Sequence, residues 1–113
     1  MISYKKTFDI ILFIARMRGG DSLTLSHFAV LAYLYENARF CTSFEIASGC
    51  GLHIRQFQLT NKDSVIGVLI SKGLVSVIEN KGTIKNFYSL TVSGRQVLES
   101  ECLEVREFIN SLL

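Results

Sequence analysis

Apolar side chains recur at helical spacing in five stretches of this chain and alternate, as in strands, in two. The first stretch, residues 3–18, places Tyr4, Phe8, Ile11 and Ala15 on one stripe, and Ile10, Phe13, Ile14 and Met17 populate the rest. A helix apolar nearly all round must be covered on more than one side, so one side is expected on the protein's own core and another on a second subunit. Gly19 and Gly20 end it. Thr24 is a good N-cap, and Phe28, Leu31, Ala32 and Tyr35 follow at core-helix spacing to about Ala38. Thr42 and Glu45 stand at capping-box spacing, where hydroxyl and carboxylate each satisfy an orphan backbone N–H. The short helix they open turns Ile46 and Ala47 inward and stops at Gly49-Cys50-Gly51.

From Leu52 to Leu59 the pattern is weak, with room for a turn of helix over 54–58. Thr60 and Asp63 form a second box-like start, predicting a helix to about Lys72 with Ile66, Leu69 and Ile70 as its buried stripe. Asn61, Lys62, Ser64 and Val65 are read as lying off that stripe. Gly67, costing about 1 kcal/mol against Ala inside a helix, marks close approach of another backbone or of a phosphate. Residues 74–79 and 83–90 read as two strands joined by the tight turn Asn80-Lys81-Gly82, with Ile84 and Tyr88 on a different face from Phe87. The last helix starts after Thr91 and carries Leu98, Cys102, Val105, Ile109 and Leu112 at spacings of four, three, four and three. That is close to a coiled-coil seam and asks for a partner chain.

A helix followed at once by a two-stranded hairpin is the layout of a winged helix-turn-helix. The expected fold is mainly α with a small β-hairpin wing (α+β). Dimerisation helices are expected over 1–18 and 92–113 and a winged-helix core over 24–91, in one domain of residues 1–113, a length suited to a single core. The composition, 49% hydrophobic and 19% charged, excludes a disordered chain. The apolar run Ile10 to Ala15, six residues between Asp9 and Arg16, is far short of the roughly 20 that span a bilayer, and no signal-peptide cleavage site follows it. Three cysteines without CxxC spacing, Cys41, Cys50 and Cys102, exclude a disulfide framework. A reduced, cytoplasmic protein without a membrane partner is expected.

The formal net charge of +2 becomes informative only when placed: residues 53–95 carry +4, residues 96–113 carry −3 and residues 1–52 carry +1. The excess lies on the unit expected to meet phosphates, although solvated surface residues account for lysines and arginines equally well. Cys50 and His53, three apart, have no third partner nearby for a metal or a nucleophile. His27 reads as an ordinary helix-face histidine. No base, orienter or oxyanion cradle assembles, so neither enzymatic activity, a metal nor a cofactor is expected.

The phrases Leu23-Thr24-Leu25-Ser26-x-Phe28-x-Val30-Leu31, Glu45-Ile46-Ala47, Leu69-x-x-x-Gly73-Leu74-Val75 and Leu90-Thr91-x-x-Gly94, in this order, resemble the MarR family of winged-helix transcriptional regulators over nearly the whole chain. The resemblance implies a homodimer with interleaved terminal helices, a reading helix over about 60–72 in the major groove of double-stranded DNA, and a wing over about 75–90 on the backbone or minor groove. Mapped onto this chain, Thr60, Asn61, Lys62 and Ser64 would face the bases, where Asn suits adenine and Lys suits guanine or phosphate. Arg55, Lys81 and Lys85 would take phosphates, and Phe8, Ile11, Ala15, Leu98, Cys102, Val105, Ile109 and Leu112 would dimerise. The chain departs from the family pattern at the wing tip, where Asn80-Lys81-Gly82-Thr83 replaces an Asp-x-Arg pair, and in extra residues between His53 and Leu59. A dimeric repressor is the implied function, with a small-molecule effector possible in kind but identified by no residue. The alternative is a winged-helix protein-interaction or nucleoprotein-complex subunit without independent sequence-specific DNA binding. There Thr60 and Asn61 only cap a helix and the wing lysines only protect an edge strand.

Overall fold

Thr24 opens the first long helix, α1 (Leu25–Glu36), as its spacing predicts. The computed structural model describes residues 4–5, 8, 23–79 and 86–112. The N-cap of α1 is a capping box in which His27 replaces the usual acid: its Nδ1 accepts from the Thr24 N–H at 3.0 Å. Phe28, Val30, Leu31 and Leu34 of α1 are buried, each withdrawal of such a side chain from water being worth about 1.5–3 kcal/mol. Asn37 ends the helix, its backbone N–H and its Nδ2 both donating to the Tyr33 carbonyl.

The chain then makes a two-residue strand that periodicity does not predict, β1 (Cys41–Thr42), and enters α2 (Ser43–Cys50). The Thr42–Glu45 box forms as read, with Glu45 N–H donating to Thr42 Oγ1 at 3.2 Å and Thr42 N–H donating to Glu45 Oε1 at 3.1 Å. Ile46 and Ala47 are buried, and Gly51 closes the helix in the left-handed region. A 3₁₀ turn, Ile54–Phe57, occupies the weakly patterned stretch and buries Phe57.

The next helix differs from expectation. It is α3 (Val65–Ser71), seven residues capped by Ser64, and Thr60, Asn61, Lys62 and Asp63 lie in turns before it. Val65 also faces the core with Ile66 and Leu69 instead of lying off the stripe. Its end is a Schellman motif: Leu74 N–H donates to Leu69 O and Gly73 N–H to Ile70 O, with Gly73 at φ 72°.

Two strands follow, β2 (Val75–Glu79) and β3 (Asn86–Leu90), paired antiparallel with Val77 opposite Tyr88. β1 adds to the other side of β3, Cys41 opposite Tyr88, giving a sheet of order β1-β3-β2. Tyr88 is buried and Phe87 falls on the opposite face, as alternation requires.

α4 (Val92–Leu112) completes the described chain. Its start is tied to the end of α3: Thr91 Oγ1 donates to Gly73 O at 2.8 Å and accepts from Gly94 N–H at 3.0 Å, and Thr91 N–H donates to Leu74 O at 3.2 Å. A Cβ at Gly94 would collide with the Leu74 carbonyl oxygen. The two sequence phrases Leu69-x-x-x-Gly73-Leu74-Val75 and Leu90-Thr91-x-x-Gly94 are therefore the halves of one joint. Among the described residues the core is one cluster that α1 to α4 and the sheet enter.

Candidate nucleic-acid interface

The segment joining α2 to α3 carries the exposed polar side chains. His53 caps the 3₁₀ turn, its Nδ1 accepting from Arg55 N–H at 3.1 Å, and Arg55, Thr60, Asn61, Lys62 and Asp63 are exposed. Neither Arg55 nor Lys62 forms an ion pair among the described residues. Three other cations of the described chain are placed differently. Arg39 is bonded to Glu45 at 2.6 Å, and Arg95 pairs with Glu99 at 3.2 Å while its guanidinium lies 5.3 Å from the Tyr35 ring centre. Lys72 lies near enough to His27 to depress its basicity. The +4 of residues 53–95 is thus not all free surface charge: Arg95 is held against Tyr35 of α1 and Glu99.

Ser64 does not face outward. Only 2% of it is exposed, because its Oγ accepts from Gly67 N–H at 3.0 Å and donates toward Asn61 O at 2.7 Å or Gln58 O at 3.0 Å. As the N-cap of α3, Ser64 is turned into the protein and not outward with Asn61 and Lys62 as expected. Gly67 gives the second constraint: the backbone that approaches it is the protein's own, the Asn61 carbonyl occupying the place of a Cβ. Gln56, which sequence reasoning passed over, holds Val65 N–H through Oε1 at 3.2 Å; no local pattern announces a bond spanning nine residues.

Lys81 and Lys85 lie outside the described residues, as do Ile11, Ala15 and the turn 80–82. Of the expected dimerisation set, Phe8 is helical and 62% exposed, with Tyr4 beside it at 89%. On α4, Cys102 is exposed and Val105 and Ile109 half-buried, Leu112 ends the helix, and Leu98 packs into the protomer's own core.

Cys50 turns its Sγ to the Ala29 carbonyl at 3.4 Å, and burial pushes its thiol up, as it does that of Cys41. Both are poor thiolates. Among the described residues no cluster of His, Cys, Asp or Glu could hold a metal ion. No described helix is long and apolar enough to cross a membrane. A cleft of about 420 Å³ opens between the end of α1 and the start of α4, walled by Tyr35, Phe40, Leu90 and Val92 with Arg39 and Arg95 at its edges.

No protein-family model and no curated protein matches the chain. Solved structures do. A MarR-family transcriptional regulator from Rhodococcus sp. RHA1 superposes with a TM-score of 0.74 at 16% identity, over 95% of this chain and 72% of its own. MepR, a transcription regulator of the Staphylococcus aureus multidrug efflux pump MepA, gives 0.70 at 18% identity over 97% and 82%. BpsR of Bordetella bronchiseptica gives 0.68 at 19% identity over 96% and 72%.

The chain has the MarR-type winged-helix fold. Within the MarR fold α2, the 3₁₀ turn and α3 form the helix-turn-helix, and β2 and β3 form the wing. The residues that sequence reading placed between His53 and Leu59 as extra to the family pattern make the 3₁₀ turn and the loop after it.

Proposed function

We propose that this protein is a dimeric, sequence-specific double-stranded-DNA-binding transcriptional regulator that acts as a repressor. The observation that carries the reading is the pair of exposed cations, Arg55 and Lys62, without ion-pair partners among the described residues, on the helix-turn-helix segment of a MarR fold. The structural neighbours support it: a MepR variant has been captured with an oligodeoxyribonucleotide, and the DNA binding of BpsR is regulated by 6-hydroxynicotinic acid. In this reading Arg55 and Lys62 take phosphates, Thr60 and Asn61 meet the major groove, and Lys81 and Lys85 on the wing take the backbone or minor groove. Tyr4 and Phe8, with Cys102, Val105 and Ile109, supply apolar surface for a second copy. A small aromatic effector would have room in the cleft beside Tyr35 and Phe40.

An anisotropy titration of the full chain against duplex DNA over a salt series tests this. Log affinity is expected to fall linearly with log salt by about 0.9 per phosphate contacted, and Arg55→Ala and Lys62→Ala should each reduce that slope by about 1. A slope of zero refutes the proposal. One observation favours a protein-interaction module instead: α3 is Val-Ile-Gly-Val-Leu-Ile-Ser, with little polar surface to offer a base pair. A monomer by light scattering without salt-dependent DNA binding selects that alternative, because reading two half-sites requires a two-fold pair.

A further inference from the structure

The stretch before α3 holds two helix starts, four residues apart. Ser64 is in use, and Thr60, with Asp63 three residues on, repeats the capping-box spacing that forms at Thr42 and Glu45. Residues between the two starts keep their backbone groups paired locally. Asn61 N–H donates to Gln58 O at 3.2 Å, Asp63 N–H to Asn61 Oδ1 at 3.0 Å and Ser64 N–H to Asn61 O at 3.1 Å. In a helix capped by Thr60, Asp63 N–H would donate to Thr60 Oγ1 and Ser64 N–H to Thr60 O, and Asn61 N–H, at the first helical position, would turn to water. Thr60, Asn61, Lys62 and Asp63 are exposed, so winding them into helix removes none of their apolar surface from the core. The short start depends on a residue without a side chain, since the Asn61 carbonyl sits where a Cβ of residue 67 would be.

We propose that α3 has two alternative starts, a short one capped by Ser64 and a long one capped by Thr60, and that duplex DNA selects the long one. In the long helix Asn61, Ser64, Val68 and Ser71 fall at i, i+3, i+7 and i+10, one stripe of the surface. Ser64, buried while it serves as a cap, joins Asn61 on the reading face. The ordering happens on binding and lowers affinity for every duplex that does not repay it, which sharpens discrimination. This inference deepens the DNA-binding reading and rests on it.

Backbone chemical shifts of residues 58–64 in the full chain test it without DNA first. Gly67→Ala leaves helix propensity balanced, because residue 67 is helical in both states; the new methyl acts only on the state that places the Asn61 carbonyl against it. One methyl of overpacking is expected to move the equilibrium at least about fivefold toward the long start, and Ser64→Ala, which removes the short cap, by a similar factor. Both variants should turn the shifts of Asn61, Lys62 and Asp63 helical while core amides stay native. Shifts that stay non-helical in both folded variants overturn the two-start model. A duplex of about 20 base pairs, two helical turns, is then added to the wild-type chain. Binding by anisotropy with helical shifts at 60–63 supports selection by DNA. Binding with unchanged shifts overturns that selection and leaves the DNA-binding reading intact. Absence of binding removes that reading and with it selection by DNA, and the DNA-free variants still decide the two starts.

Discussion

Gly94→Ala is the sharpest probe of how the wing and α4 are joined. A methyl at this position would overlap the Leu74 carbonyl oxygen and lie 3.0 Å from its carbon and 2.8 Å from Leu90 Cδ1. Two of these three atoms are backbone, so no rotamer change clears them. Helix propensity pulls the other way, favouring Ala over Gly by at most about 1 kcal/mol. Overpacking costs about 1–3 kcal/mol, and pushing α4 away from Leu74 also strains the Thr91 hydrogen bonds to Gly73 and Leu74, each worth about 1 kcal/mol. The clash should win, with a net loss of about 1–2 kcal/mol, or roughly 5–10 °C in Tm for a chain of this size. Urea and thermal unfolding followed by circular dichroism measure it, at one fixed protein concentration because the apparent stability of the proposed dimer would depend on concentration. An unchanged or raised midpoint would mean that propensity outweighs the contact, and the joint described here would be wrong.

Four further outcomes follow from individual side chains. Thr42→Ala should lower stability by about 1 kcal/mol by uncapping α2. The Arg39 guanidinium, then the Thr42 backbone N–H, hold Glu45 down to about 2, so its contribution is complete above its ordinary value of 4.5 and is lost as pH falls toward 2. Glu45→Gln should flatten acid unfolding in that window, and an unaltered acid limb counts against the pair. Burial, then the Lys72 charge, depress His27 below its ordinary value of 6.5, and its neutral Nδ1 accepts from Thr24. Stability from this group is therefore complete above about 6.5 and falls on acidification below it. His27→Gln, which keeps a cap acceptor, should lose that component of the pH profile measured by urea midpoints. Burial, then Glu104, raise Glu101, whose Oε2 has no partner among the described residues. The folded value being the higher, its contribution is complete below 4.5 and is lost as pH rises from there through the raised folded value. Glu101→Gln should raise Tm by a few degrees at neutral pH and converge with wild type in acid, and a lower Tm at neutral pH would contradict the burial argument.

Sequence alone determined the elements whose causes lie within one turn or one strand. Thr24 and Thr42 start α1 and α2 because a cap needs only a hydroxyl and its own following residues, and the wing strands alternate because successive side chains point to opposite faces. The start of α4 after Thr91 was legible for the same reason. The candidate site was legible as a segment, with Arg55, Thr60, Asn61 and Lys62 all exposed, and not in its conformation. Tertiary structure decided that Ser64, and not Thr60 as the capping pattern predicts, begins α3, with Gln56 reaching Val65 and the Asn61 backbone resting against Gly67. It also drew Cys41 and Thr42 into the sheet against residues far along the chain, and it gave Leu98 to the core and Arg95 to Tyr35. Periodicity reports which face of an element is apolar; only the assembled fold supplies the distant group that claims each side chain.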